Sequence, residues 1–120
     1  MSAHNELGAK GERKAVLFLQ KKNYEILATN WRYKRCEVDI IAKWKSIIVF
    51  AEVKTRSSDF FGHPEEAVDS HKRQMMATAA RAYMEKNELE NEIRFDILSL
   101  LIEGTKTTIR HIEDAFYFYE

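Results

Sequence analysis

Residues 37–54 read Glu-Val-Asp-Ile-Ile-Ala-Lys-Trp-Lys-Ser-Ile-Ile-Val-Phe-Ala-Glu-Val-Lys and contain two β-forming runs separated by a short polar break. Successive side chains of a strand point to opposite faces, so each run presents two distinct faces. One predicted face is wholly apolar and consists of Val38, Ile40, Ala42, Val49, Ala51 and Val53. The other is apolar at one end and charged at the other, with Glu37, Asp39, Ile41, Ile48, Phe50, Glu52 and Lys54.

An antiparallel hairpin of these two runs would bring its acids together. A turn at Lys45-Ser46 sets Asp39 opposite Glu52, and a turn one residue earlier sets Glu37 opposite Glu52. Directly opposed side chains have Cβ atoms roughly 4.5 to 5.5 Å apart, where like charges repel. A hard divalent cation, which takes carboxylate oxygens and water as ligands, would relieve that repulsion. The stretch therefore predicts a metal site, beside which Lys54 could orient or help deprotonate a water.

A half-buried salt-bridge cluster at the edge of a sheet would explain the same charges without any chemistry. Order and spacing favour the catalytic interpretation, because Asp39 is followed thirteen residues later by the tripeptide Glu52-Val53-Lys54. This arrangement is similar to the PD-(D/E)XK nuclease motif in its Asp…Glu-x-Lys form. The tripeptide alone is a weak signal, since charged tripeptides are common.

Size and composition indicate one globular domain. The chain has 120 residues, of which 45% are hydrophobic and 32% charged, values typical of a protein with a single core. No stretch approaches eighteen uninterrupted apolar residues and no apolar signal region is visible, so we expect neither membrane insertion nor secretion. A single cysteine, Cys36, excludes an internal disulfide and favours a cytoplasmic location. No Cys or His cluster has zinc-ligand spacing.

The charge is unevenly distributed although the formal net charge is zero. Residues 31–56 contain seven bases and only three acids, and all three acids belong to the predicted site. A basic margin around an acidic centre suits a phosphodiester substrate, although charge asymmetry is also common on solvated faces. The candidate nucleic-acid contacts are Arg32, Lys34, Arg35 and Arg56, together with Lys72 and Arg73 at the start of a later helix.

The first element is predicted to be a helix over Asn5–Lys22, whose apolar positions are Ala15, Val16, Phe18 and Leu19. Glu12 falls on the same stripe. It is either an acid favoured by the helix dipole or exposed at the stripe's edge, or it points over the sheet and adds a carboxylate to the predicted site. Gly8 and Gly11 lie one turn apart, where missing side chains would allow close approach to a neighbouring backbone.

The remaining pattern predicts the element order α-β-β-β-α-β-β, a mixed sheet flanked by helices. A strand over Tyr24–Tyr33 ends in residues 30–35, where aromatic and basic residues alternate; they could stack on unpaired bases or pack in the core. The later elements are a loop with Phe60-Phe61, a helical turn over Pro64–Val68, a helix over Ser70–Asn87 capped by Ser70, strands over Ile93–Ile102 and Thr107–Ile112, and an aromatic tail, Phe116–Tyr119. The third and fourth strands are predicted to be parallel, joined by the long helix.

Six spaced blocks resemble the YraN family of small bacterial proteins. They are Gly8-x-x-Gly11-Glu12-x-x-Ala15, Tyr24-x-Ile26-Leu27-x-x-Asn30, Glu37-Val38-Asp39-Ile40-Ile41-Ala42, Val49-Phe50-Ala51-Glu52-Val53-Lys54-Thr55-Arg56, Phe61-Gly62-x-Pro64-x-x-Ala67-Val68 with Lys72, and Arg94-Phe95-Asp96. The resemblance implies a restriction-endonuclease-like fold similar to that of archaeal Holliday-junction resolvases. It also implies Asp39 and Glu52 as metal ligands, Lys54 as the catalytic lysine and Glu12 as an additional helix carboxylate. Cys36 and Asn23 replace glycines that are usual in the family, which affects turn geometry rather than the ligands.

These observations predict an endonuclease that depends on Mg²⁺ or Mn²⁺ and hydrolyses DNA, with branched or junction DNA as a candidate substrate and RNA as the less favoured one. A symmetric junction would favour a homodimer. The alternative is a non-catalytic nucleic-acid-binding module that retains the nuclease fold. A third interpretation is a protein-interaction domain that self-associates through its aromatic tail.

Overall fold

One mixed sheet and two helices make up the computed structural model within the residues it describes, 3–57 and 68–117. Their order is the predicted one, α-β-β-β-α-β-β. The elements are α1 (Ala3–Lys21), β1 (Glu25–Tyr33), β2 (Cys36–Trp44), β3 (Ile47–Arg56), α2 (Ser70–Lys86), β4 (Ile93–Glu103) and β5 (Lys106–Phe116).

The five strands lie side by side in chain order. Three neighbouring pairs are antiparallel, whereas β3 and β4 are parallel. Parallel neighbours need a crossover connection, and α2 lies within the connection between β3 and β4. The parallel pairing predicted for these two strands is therefore confirmed.

The helices cover opposite faces of the sheet. α1 packs Ala15 and Leu19 against one face, which consists of Ile40, Ala42, Val49, Ala51, Leu98 and Leu100. α2 packs Met76 and Tyr83 against the other face, which includes Ile41, Ile48, Phe50 and Ile97. β3 and β4 are central and covered on both sides, which explains why their sequences are nearly continuous apolar runs.

The alternation of side chains in β2 is interrupted at Asp39. Strict alternation predicts Val38 on the same face as Ile40, and this prediction is wrong, because Val38 packs with Ile41 on the α2 side. Asn30 lies across from Asp39 in the β1–β2 ladder and has a φ of +50°. A left-handed residue inside a strand interrupts its pleat, and the faces of β1 and β2 are exchanged at this point.

Two predicted boundaries also need correction. Asp69 caps α2 in place of Ser70, because its carboxylate accepts a hydrogen bond from the Lys72 amide at 2.9 Å. β5 continues past Ile112 to Phe116, whose ring stacks on Phe95 with centroids 5.0 Å apart. The first residue of the predicted aromatic tail therefore belongs to the core. The predicted Phe60-Phe61 loop, the turn from Pro64 to Ala67 and the end of the tail lie outside the described residues.

The hydropathy of the sequence predicts no membrane insertion. Among residues 3–57 and 68–117, neither helix combines the length and apolar character that a membrane span requires.

Gly11 is the point of closest approach between α1 and β3. The residue is buried, and a Cβ added there would collide with the side chain of Thr55. Gly8, one turn earlier, is exposed and has nothing within 4 Å of the corresponding position. The predicted close approach thus holds at Gly11 and not at Gly8.

The two glycines form a matched pair for testing this contact. Gly11→Ala should lower the free energy of unfolding by about 1–3 kcal/mol, since the added methyl must displace Thr55. Gly8→Ala should raise it by up to about 1 kcal/mol, because alanine is the better helix former and meets no neighbour. Urea denaturation of both variants measures the difference, and equal stabilisation by both would show that α1 does not approach β3 closely.

Candidate active site

The backbone ladder between β2 and β3 ends before Asp39. There the Asp39 carboxylate, and not a backbone carbonyl, accepts a hydrogen bond from β3. The two strands pair from Trp44↔Ile47, which closes the predicted Lys45-Ser46 turn, as far as Ile40↔Ala51. Beyond this pair, the amide of Val53, two residues after Ala51, donates to Asp39 Oδ2 at 2.8 Å. The carboxylate of Asp39 is therefore held between the strands, with Glu52 directly beyond the last backbone pair.

The carboxyl groups of Asp39 and Glu52 interact strongly. Burial raises the pKa of Glu52 to about 8, and the neighbouring Asp39 charge adds to the effect. Burial also raises the pKa of Asp39, although the hydrogen bond from the Val53 amide opposes the rise. Two carboxylates in a partly dry site do not ionise together at low cost, so the pair retains a proton at neutral pH.

One oxygen of this pair lacks a hydrogen-bond donor. Glu52 Oε2 is buried and accepts no hydrogen bond from the described residues. Lys72 Nζ, at the start of α2, lies 3.3 Å from this oxygen and forms an ion pair with it, which lowers the pKa of Glu52 against the effect of burial. A buried carboxylate oxygen is costly without a cation or donor beside it, and the Lys72 ammonium supplies part of that compensation.

Lys54 lies two residues after Glu52 on β3. The neighbouring residues of β3 keep strict alternation, with Ile48 and Phe50 on the α2 side, so Lys54 follows Glu52 on that face. Its side chain is exposed. An exposed ammonium beside a buried acid pair is accessible to an incoming substrate.

Glu12 approaches the same acids from α1. It is half-buried, and burial, followed by the charge of Asp39, raises its pKa, whereas a hydrogen bond with Asn30 lowers it. Asn30 is the residue at which the strand faces exchange. Nevertheless, no three Asp, Glu, His or Cys side chains in the described part of the chain converge closely enough to hold a metal ion. Asp39 and Glu52 are thus brought together, and Glu12 lies within electrostatic reach of Asp39.

Several predicted nucleic-acid contacts are engaged inside the protein. Arg32 forms an ion pair with Glu37 across the β1–β2 ladder at 2.8 Å. Arg56 Nη2 donates to Ser99 Oγ at 3.5 Å. Arg73 Nε donates to the Val68 carbonyl at 3.1 Å, and its guanidinium lies over the Phe116 ring. These arginines have structural partners, whether or not they also meet a ligand.

Three bases of the predicted set are exposed: Arg32, which forms the ion pair with Glu37, and two residues of the β1–β2 turn. Lys34 and Arg35 are exposed at the turn between β1 and β2. Trp31, in the adjoining stretch of alternating aromatics and bases, packs edge to face on Tyr83 at 5.3 Å, so it belongs to the core. The sequence pattern does not predict that Lys72 lies beside the acid pair, where its ammonium is 3.3 Å from Glu52. No spacing rule connects it to Glu52, because the contact spans the connection between β3 and α2.

A second charged cluster, centred on Asp96, lies on the α1 side of the sheet. The sequence pattern does not predict it. Asp96 is fully buried and accepts hydrogen bonds from Arg94 at 2.8 and 2.9 Å and from the Asp114 amide at 3.0 Å. His111 Nε2 lies 2.7 Å from Asp96, and Lys22 Nζ lies 2.8 Å from His111 Nδ1. Burial would raise the pKa of Asp96, but these hydrogen bonds outweigh it and lower the pKa.

The fold and the acid pair define a small α/β protein with a charged site where its central hairpin opens. The family model described as uncharacterised protein family UPF0102 matches residues 11–100, and the chain belongs to this family. It is the YraN family of the sequence motifs, so that prediction is confirmed. The matched residues include Glu12, Asp39, Glu52 and Lys54.

Similar relatives extend over almost the whole chain. The UPF0102 protein of Flavobacterium psychrophilum is 48% identical over 119 residues, which cover 99% of this chain and 100% of the relative. That of Christiangramia forsetii is 47% identical with the same coverage. The UPF0102 protein of Geobacter metallireducens is 42% identical over 118 residues, which cover 97% of both chains.

The acid pair predicts how stability depends on pH without metal. The unfolded chain loses the Glu52 proton near its ordinary pKa of 4.5, whereas the folded protein keeps it up to about pH 8. Stability from this group is therefore full below pH 4.5 and is lost as the pH rises to 8, by at most about 1.4 kcal/mol per pH unit. Urea denaturation in EDTA across this range measures the loss.

Glu52→Gln should flatten that dependence, because glutamine has no proton to lose. Glu103→Gln, an exposed change at the end of β4, serves as the control and should keep the wild-type slope. A slope that survives in Glu52→Gln would show that the acid pair does not hold the proton.

Proposed function

We propose that the protein is an endonuclease that depends on Mg²⁺ or Mn²⁺ and hydrolyses phosphodiester bonds in DNA. The observation that carries the proposal is the pair Asp39 and Glu52, adjacent where β2 and β3 part, with the buried Glu52 Oε2 left without a donor. Perturbed acids of this kind are concentrated at functional sites.

The donor set fits a hard divalent cation. Mg²⁺ is usually bound through one or two carboxylates, with waters and substrate phosphate completing its coordination, so Asp39 and Glu52 suffice as protein ligands. Glu52 Oε2, which is buried and has no hydrogen-bond partner among the described residues, would be a ligand atom for the cation. When bound, the ion would supply Lewis-acid activation of the phosphate and of the attacking water. Ligation by both carboxylates would require the proton shared by the pair to leave.

The neighbouring side chains provide the remaining functions. Lys54, exposed on the face of Glu52, is placed to orient the attacking water or to hold a proton beside it. Lys72 balances the charge of Glu52 at 3.3 Å and is placed to meet a phosphate when one enters. Glu12 lies within reach of the Asp39 charge and would act in the outer shell of the metal or at a second ion.

The architecture supports a restriction-endonuclease-like fold. Asp39 and Glu52 come from the two strands of a central hairpin, β3 continues into a parallel partner, and helices cover both faces. Lys34 and Arg35 at the β1–β2 turn are exposed candidates for phosphate contact. A substrate with two-fold symmetry would be matched by a homodimer, and a DNA substrate agrees with a cytoplasmic location.

A non-catalytic nucleic-acid-binding module is the second candidate function. It is favoured by the absence of any three-ligand metal cluster among residues 3–57 and 68–117. A protein that only binds nucleic acid needs no resident ion, and a fold alone does not fix an activity.

Replacing Lys54 separates the two functions. Lys54→Ala should lower the rate of DNA cleavage at least about 100-fold, because it removes the group that orients the attacking water or holds a proton beside it, while binding falls only slightly. Labelled linear, nicked, flapped and four-way DNA, incubated with Mg²⁺, Mn²⁺ or EDTA, provides the assay. Lys43→Ala, an exposed lysine at the far end of the same hairpin, should cleave like the wild type.

Two results would contradict the nuclease proposal. The first is a wild-type protein that cuts no substrate with either ion and binds neither ion in titration calorimetry. The second is undiminished cleavage by Lys54→Ala. A protein that binds DNA without cutting it, and whose Lys54→Ala variant binds almost as well, would be the non-catalytic module.

A further inference from the structure

A groove of about 510 Å³ lies between α1 and β1, outside the acid pair. Its wall on α1 is apolar and includes Ala9, Val16 and Leu17. Leu17 is 57% exposed, so its side chain offers apolar surface to a ligand in the groove. The groove falls within the volume range of small-ligand sites, and its wall presents flat apolar surface to solvent.

The floor of the groove is polar and leads to the acid pair. Thr29 and Asn30 of β1 line it opposite the helix. Asn30 is hydrogen-bonded to Glu12, which also lines the groove and lies within reach of the Asp39 charge. Glu12 therefore belongs to the groove and also interacts electrostatically with Asp39 of the acid pair.

The rim of the groove is basic. Arg13 lines it, and the exposed Lys10 lies about one helical turn before Arg13 on α1, outside the lining residues. Glu12 is the only acid among the lining residues and faces Asn30. An apolar wall with polar edge groups and a cationic rim is complementary to a nucleotide, which combines a flat base with an anionic phosphate.

We propose that this groove holds an unpaired nucleobase of the strand whose phosphate lies at Asp39 and Glu52. The proposal rests on the nuclease function and specifies its substrate as single-stranded or branched nucleic acid. In a duplex the base faces are stacked and hidden, so an aliphatic wall meets a base face only when that base is unpaired or extruded. Leu17 and Val16 contact the face of the base, Thr29 meets its edge, and Arg13 binds the adjoining phosphate.

Binding in EDTA tests the groove independently of metal chemistry. Fluorescence anisotropy of a labelled oligothymidine should show binding at least about fivefold tighter than that of a blunt duplex with the same number of phosphates. Leu17→Glu should weaken oligothymidine binding about tenfold or more, because it places a charge against the base and the phosphate. Gln20→Glu introduces the same charge one turn further along α1, outside the groove, and should change binding less than about twofold.

A second variant guards against an indirect effect of the new charge. Arg13→Gln should reduce the slope of binding affinity against salt concentration by about one phosphate contact and leave the fold intact, since Arg13 is exposed. Unchanged oligothymidine binding by Leu17→Glu, or equal losses in Leu17→Glu and Gln20→Glu, would overturn the proposal. So would equal affinity for the blunt duplex.

The outcomes for the groove and for the nuclease function are distinguishable. Groove-dependent binding without cleavage under any metal condition would refute the nuclease and retain the base-binding groove. Cleavage by Leu17→Glu at the wild-type rate, with wild-type binding, would retain the nuclease and refute the groove. Self-association that Leu17→Glu abolishes, without nucleic-acid binding, would refute the base-binding groove and assign the surface to a second copy of the chain.

Discussion

The hydrogen bond from the Val53 amide to the Asp39 carboxylate determines where the central hairpin stops being a regular ladder. Up to Ile40 and Ala51 the strands exchange backbone hydrogen bonds. One position further, a side chain serves as the acceptor, so the strands part while the amide remains satisfied. The acids at this position are supported by strands that are buried on both faces.

This arrangement has an electrostatic cost that the surrounding elements reduce only in part. Burial raises the pKa of both acids, and the proton that the pair retains is the least costly internal remedy. Lys72 gives further compensation, and its position follows from the helix cap. The Asp69 carboxylate fixes the first turn of α2 by accepting a hydrogen bond from the Lys72 amide. Lys72 in turn extends its ammonium toward Glu52. The helix cap at Asp69 therefore positions the positive charge that compensates Glu52 on β3.

The local sequence pattern predicts the order of the helices and strands. The features that it does not predict depend on contacts between residues that are distant in the chain. The element order and the shared sheet face of Asp39 and Glu52 follow from side-chain period, whereas the choice between the two possible hairpin turns is made by the structure, which pairs Trp44 with Ile47. The exchange of faces at Val38 does not, because it depends on a left-handed Asn30 in the neighbouring strand. The contact of Lys72 with Glu52 and the cluster around Asp96 join residues far apart in the chain, for which composition and spacing carry no signal. The choice between Asp69 and Ser70 as the cap was missed because both are good capping residues and adjacent.

Fully buried Asp96 and half-buried Asp39 show why one cluster is structural and the other is suited to function. Asp96 has both oxygens satisfied by Arg94, with further support from His111 and the Asp114 amide, so its pKa falls despite complete burial. Asp39 accepts one backbone amide and faces a second acid, so its pKa rises. A carboxylate with a full set of internal donors has no further need of a cation, whereas a pair that lacks donors gains most from one. Among the described residues, the buried oxygen without a hydrogen-bond partner, Glu52 Oε2, therefore lies where the β2–β3 ladder ends.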